Sequence, residues 1–266
     1  MRQIATAVSR WGLIAAALAM SPLSVGAAPN PAVPAAAAAG AASAAQDKAI
    51  AESLAEMLRD ARTVISNNQD LINNPALGDK HLGGDRVLQA AVALYRKNTG
   101  VDPDAIDPNS REGRLLRAMM KAIVMVMADN QTTINEQGTG FKGFIPAVFG
   151  RLVAETFNGL AGNEAVIKVT APPELVRNIK ARPDAWERDV IKTKLLAPDW
   201  PKGQPFSADV TIDGRSAYRI AVPEYYRQSC LACHGSPKGE MDITGYPKEG
   251  QKVGDLGGVI SITLFR

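Results

Sequence analysis

The chain of 266 residues carries 30 Lys and Arg against 27 Asp and Glu, and 46% of its side chains are hydrophobic. That near balance excludes a basic nucleic-acid-binding face as the basis of function. Its two cysteines, Cys230 and Cys233, exclude a disulfide framework, because a bridge between them would close a tiny loop and staple nothing of the fold.

Arg2 and Arg10 form a positive region, Trp11 to Met20 is an apolar run, and Pro22 precedes the small residues Val25-Gly26-Ala27. That pattern predicts a secretory signal peptide over residues 1–27, too short to span a bilayer core of about 30 Å. An uncleaved membrane anchor is the alternative. Cleavage would bring the formal charge from +3 to +1. No later stretch approaches the ~20 apolar residues that a span needs, so the expectation is a soluble periplasmic protein with no membrane contact after cleavage. Residues 28–45 are nearly all Ala, Pro, Gly, Ser and Asn and read as an Ala/Pro-rich disordered leader.

Residues 46–137 read as a helical region. Ile50, Leu54, Met57, Leu58, Ala61, Ile65 and Leu71 recur at helical spacing until Asn73-Asn74-Pro75. A turn-rich stretch with His81 follows, then a helix with Asp85 as its cap that closes at Asn98-Thr99-Gly100. Two Asp-Pro steps mark residues 101–109 as a loop. Ser110 starts a long, largely apolar helix expected to run to about Glu136. Residues 138–266 open with a helix after Pro146, and the texture then changes. "AVIKVTA" alternates like a strand, Pro183 opens a short helix, and "PFSADVTI" and "RSAYRIAVPEYY" flank Asp213-Gly214 as an antiparallel hairpin. A Gly/Pro/Lys-rich loop, Ser236 to Asp255, precedes the last strand, "GVISITLFR". Helices first and antiparallel strands afterwards give an α+β fold.

The chemistry sits in "CLACHG", which holds both cysteines and one of the two histidines. Cys-x-x-Cys-His is the attachment signal for c-type haem: two thiols add across the porphyrin vinyl groups, and the adjacent imidazole ligates the iron. Export fits, since c-type haem is attached outside the bacterial cytoplasm. Two rival readings use the same residues. A thioredoxin-like dithiol needs a strand feeding a helix N-terminus in a βαβ unit, whereas here a hairpin leads into the motif. A zinc site would have to combine Cys230, Cys233, His234 and His81, and the adjacent Cys233 and His234 suit one tetrahedral ion poorly.

Together, "RNIKARPDAWERDVI", "YRIAVPEYYRQSCLACHG" and "TGYPKEGQKVGDLGGVISI" resemble the Tll-like family of c-type haem domains with a PAS-like fold, over roughly residues 130–266. The resemblance implies a PAS-like antiparallel sheet flanked by helices, one covalent haem c per chain near a sheet edge, and residues 46–137 as an N-terminal helical extension. It places Cys230 and Cys233 at the thioether positions and His234 as proximal ligand. It also sets Arg177-Asn178 and the Trp186 segment close to the haem. Arg177 and Arg219 are candidate propionate partners, because guanidinium pairs carboxylates bidentately.

The resemblance implies that the helix some two dozen residues before the Arg-Asn pair can supply a Cys or Met to the sixth iron position. Here that helix reads "PAVFGRL", with no such ligand. His81, Met125 and Met127 are the alternatives, beside an open iron that binds water or a small gas. The expectation is a mono-haem protein that acts as a redox or small-ligand sensor through a periplasmic partner protein. The alternative is a simple electron-transfer cytochrome. An enzyme is not expected, since a haem peroxidase would need a distal acid/base pair and only His81 remains.

Overall fold

The computed structural model describes residues 35–266. The expected signal peptide, 1–27, and the first part of the leader, 28–34, lie outside the described residues. Helix α1, Ala35–Asn67, begins within the segment expected to be disordered. Between Pro34 and Pro75 no proline interrupts the chain, and alanine has the highest intrinsic helix propensity, so the second half of the leader is helix. Ile50, Leu54, Met57, Leu58, Ala61 and Ile65 lie along one face of α1 and are buried.

After the short α2, Gln69–Ile72, helix α3 spans Gly84–Thr99. Its cap is Gly83 rather than Asp85, which lies in the first turn, where its charge suits the helix dipole. Gly100 closes the helix in the left-handed region, φ 73°. Helix α4, Arg111–Asp129, is capped as expected, with Ser110 Oγ accepting from the Gly113 amide at 3.0 Å. The expected continuous helix breaks at Asn130, before α5, Gln131–Asn135. The Asn130 side chain donates back to the Val126 carbonyl at 2.7 Å, a local bond that competes with regular helix. Helix α6 runs Pro146–Ala161.

Four strands follow: β1 Ala165–Thr170, β2 Phe206–Ile212, β3 Arg215–Tyr225 and β4 Leu256–Phe265. They form one sheet in the order β1-β4-β3-β2, with every neighbouring pair antiparallel. The β2–β3 turn has positive φ at both Asp213 and Gly214, 50° and 78°, which matches the strand twist. Between β1 and β2 lies α7, Ala185–Val190, which opens into a wider turn over Ile191–Leu195. Between β3 and β4 lies the four-residue α8, Leu231–His234.

Alternation along the strands gives the sheet two buried faces. Ile167, Ile220, Val222, Ile260, Ile262 and Leu264 pack with α1, α3, α4 and α6 in one continuous core. Ala221, Leu256 and Val259 pack on the other face with Val190, Ile191 and Leu195. Asp47, 3% exposed, ties α1 to Arg111 at the start of α4 and to Arg266 after β4. The helical region 46–137 is therefore no separate extension of a domain starting at 138. Its apolar faces are half of the core against which the sheet is buried. The fold is α+β, an antiparallel sheet with helices on both faces.

Candidate functional site

The sheet carries the motif to its position. Strand β3 ends at Tyr225, a turn of 3₁₀-helix covers Gln228–Cys230, and α8 follows. Cys230 and Cys233 are both free thiols and partly exposed, so a reactant can reach them. Loop 236–255 then folds back along α8, where Gly250 N–H donates to the Gly235 carbonyl at 3.0 Å and Gln251 N–H to the His234 carbonyl at 2.8 Å.

That return brings Glu249 to the histidine. His234 Nδ1 lies 2.8 Å from Glu249 Oε2, and the His234 ring stacks 5.0 Å from the Tyr226 ring. With Nδ1 engaged, Nε2 is the nitrogen left for a metal. Glu249 is held in turn by Arg177, Nε to Oε1 at 2.7 Å and Nη2 to Oε2 at 3.0 Å, a bidentate pair. Arg177 also donates to Asp242 Oδ2 at 2.6 Å and to the Cys233 carbonyl at 2.9 Å. One guanidinium thus joins the segment after β1, the motif and the return loop.

Charge follows geometry. Burial opposes ionisation of Glu249, yet the bonds from Arg177 and His234 hold its carboxyl below the usual range. Asp242 is likewise buried but held low by the Thr244 hydroxyl, Arg177 and the backbone amides of Tyr246 and Thr244. The Cys233 thiol moves the other way, pushed up by burial and then by Asp242. A redox dithiol needs a thiol driven toward thiolate, usually at a helix N-terminus after a parallel strand. Here the Cys233 thiol is driven away from thiolate, and the strand that leads into the motif, β3, is antiparallel to its neighbours.

The other sequence-predicted residues lie elsewhere. Arg219 donates to Asp184 at 2.8 Å and Glu187 at 3.3 Å, and its guanidinium sits 4.3 Å above the Trp186 ring. Lys168 joins Glu187 at 2.8 Å, so this cluster fastens α7 to the second face of the sheet. Neither Arg219 nor Trp186 bonds to the motif. Arg177 does stand beside it, with its donors directed at the protein's own carboxylates. His81 is in the loop between α2 and α3, 79% of its side chain exposed and its ring against Asp79. Met127 is fully buried in the helical core, and Met125 is exposed on α4. The structure gathers none of these three at the motif. Among the described residues no three His, Cys, Asp or Glu side chains converge to hold a metal ion, so the four-donor zinc arrangement with His81 is not assembled. A cleft of about 390 Å³, lined by Glu52, Ser53, Glu56, Tyr95 and Glu112, opens between the helices and includes no residue of the motif.

Sequence reasoning missed Glu249, Asp242 and Tyr226. The only signal for Glu249 and Asp242 was acidic residues inside the quoted "TGYPKEGQKVGD" segment and just before it, without any indication of where the loop folds. It also missed the tie to α1. Arg59 Nε and Arg62 Nη1 donate to the two oxygens of Glu224 at 2.7 and 2.8 Å, and Arg227 Nη1 reaches Thr63 Oγ1 at 3.4 Å.

Among the described residues no helix is long and apolar enough to cross a membrane. Comparison with curated proteins and with solved structures finds no match. The family comparison, in contrast, matches residues 39–264, from within α1 to the end of β4. It thus spans the helices, the sheet and the motif that the single core unites, and the chain belongs to the Tll0287-like family.

Proposed function

We propose that the protein is a periplasmic mono-haem c-type module with a PAS-like core, which senses redox state or a small ligand and acts through a partner protein. The observation that carries this reading is the donor set: two reduced, accessible thiols one helical turn from an imidazole whose Nδ1 is already engaged and whose Nε2 is free. Cys230 and Cys233 would hold the porphyrin through thioethers and His234 would ligate the iron, which supplies one-electron exchange and binding of small gases. The raised thiol pKa of Cys233 and the antiparallel setting speak against disulfide exchange. Exposed apolar side chains flank the network, with Ile179, Met241 and Ile243 at 70%, 60% and 67% exposure, and they suit a hydrophobic macrocycle.

The chain's own residues favour a sensor over an electron carrier. Among the described residues His81, Met125 and Met127 are not brought to the motif, and Met241 on the return loop is 60% exposed, so the second axial position would be left to an exogenous ligand. The Glu224 and Arg227 contacts run from the motif's entrance into α1, so a change at the motif meets the helical core directly. A visible spectrum of the exported protein tests this. The expected result is a high-spin or mixed haem that takes up carbon monoxide readily once reduced. A wholly low-spin haem that resists carbon monoxide, and loses both properties in His81→Ala, Met241→Ala or Met125→Ala/Met127→Ala, would establish the electron-carrier reading. Absence of haem bands would overturn both.

A further inference from the structure

We infer that Glu249, locked by Arg177, is the positioning residue of the His234 ligand and sets the iron's redox poise toward the ferric state; this rests on the haem reading above. The geometry makes three demands that one carboxylate meets together. First, an imidazole must present a lone pair on Nε2, so its proton has to sit on Nδ1. A neutral ring in water does not fix that choice, but an acceptor 2.8 Å from Nδ1 does. Second, the ring must keep its orientation while the porphyrin is attached and thereafter. Tyr226 stacks on one side, and the Gln251 amide fixes the backbone carbonyl of His234 itself. Third, the acceptor must itself be held in place, and Arg177 grips both of its oxygens, Nε to Oε1 at 2.7 Å and Nη2 to Oε2 at 3.0 Å.

An anionic acceptor differs from a neutral carbonyl in what it does to the ligand. It draws the Nδ1 proton toward itself and leaves the ring with partial imidazolate character, a stronger donor to iron. Stronger donation favours the more positive metal. In a ferrous haem that stabilisation would be smaller, so the reduction potential would be lower than with a neutral partner. Arg177 acts in the opposite sense, because it competes for the same carboxylate oxygens. Its other bonds go to Asp242, on the return loop, and to the Cys233 carbonyl, in the attachment motif. Loop 236–255 is therefore built into the ligand's electronic environment, and a displacement of that loop alters the donor strength of His234.

The test compares midpoint potentials and the ferrous iron–histidine stretching band in the haem-loaded full chain. Glu249→Gln keeps the side chain's shape and removes its charge. The expected result is a raised potential together with a lowered stretching frequency, with covalent haem still present. Arg177→Lys, which keeps a cation beside the carboxylate but cannot grip both of its oxygens, is expected to shift both in the opposite direction, and it decides the matter if Glu249→Gln does not fold. Glu240→Gln removes a carboxylate of the same loop that pairs with Lys248, and it should move neither readout. A merely structural role for Glu249 would disturb haem loading without the paired shift in potential and band. Haem present, with potential and band unchanged in Glu249→Gln, would overturn this inference alone. A wild-type chain that carries no haem would instead overturn the proposed function, and this inference with it.

Discussion

Asp60 is 2% exposed on α1, with one carboxylate oxygen bonded to Asn98 Nδ2 at 2.8 Å and the other without a partner. Burial, and then Glu56 nearby, push its pKa from 3.8 up to about 6. Between those values the folded chain holds a proton that the unfolded chain has released. The resulting stability is full below about pH 4 and is lost as pH rises through about 6, at most about 2–3 kcal/mol. Asp60→Asn removes that loss. Its melting temperature should exceed the wild-type value at pH 8 and match it at pH 4, and an equal difference at both pH values would contradict the assignment. A buried carboxyl of this kind has no sequence signature, because Asp60 reads as a polar position on an amphipathic helix. The same contrast holds at the motif. Cys230, Cys233 and His234 are legible because their chemistry depends on adjacency in the chain. Glu249 is 15 residues further on, and only the folding of the loop makes it a partner.

Elements were legible where the pattern is local. The hairpin turn, the Ser110 cap, the Gly100 stop and the strand alternation all stand where the sequence puts them. The break at Asn130 and the helical second half of the leader were missed because each depends on a weak local balance. Between elements, close approach is decisive and silent in sequence. At Gly257 on β4 a Cβ would lie 2.8 Å from the Tyr226 ring, and that ring stacks on His234. Gly257→Ala must therefore push Tyr226 away from the strand. The expected cost is about 1–3 kcal/mol by overpacking, with a broadened His234 ring environment visible by NMR. An alanine variant with wild-type stability and unchanged His234 resonances would show that Tyr226 does not brace His234.

At the scale of the molecule, one core joins the helices to the sheet. The sequence suggested a boundary near residue 138 because the texture changes there from helical to strand periodicity. Periodicity reports each element's own face and says nothing about which face it meets. A fragment of residues 138–266 would expose Ile220, Val222, Ile260 and Ile262 to water, each worth about 1.5–3 kcal/mol of lost burial. It should therefore be unfolded or aggregated by circular dichroism, and a cooperatively folding fragment would contradict the single core. The wider claim is that this fold exists to present Cys230, Cys233 and His234 to a covalent haem. Its most direct test is the intact mass of the chain exported in the presence of a haem-maturation system. The account predicts the mass of the processed chain plus one haem, lost in Cys230→Ala/Cys233→Ala; an unmodified mass in a strain that matures other c-type cytochromes would contradict it.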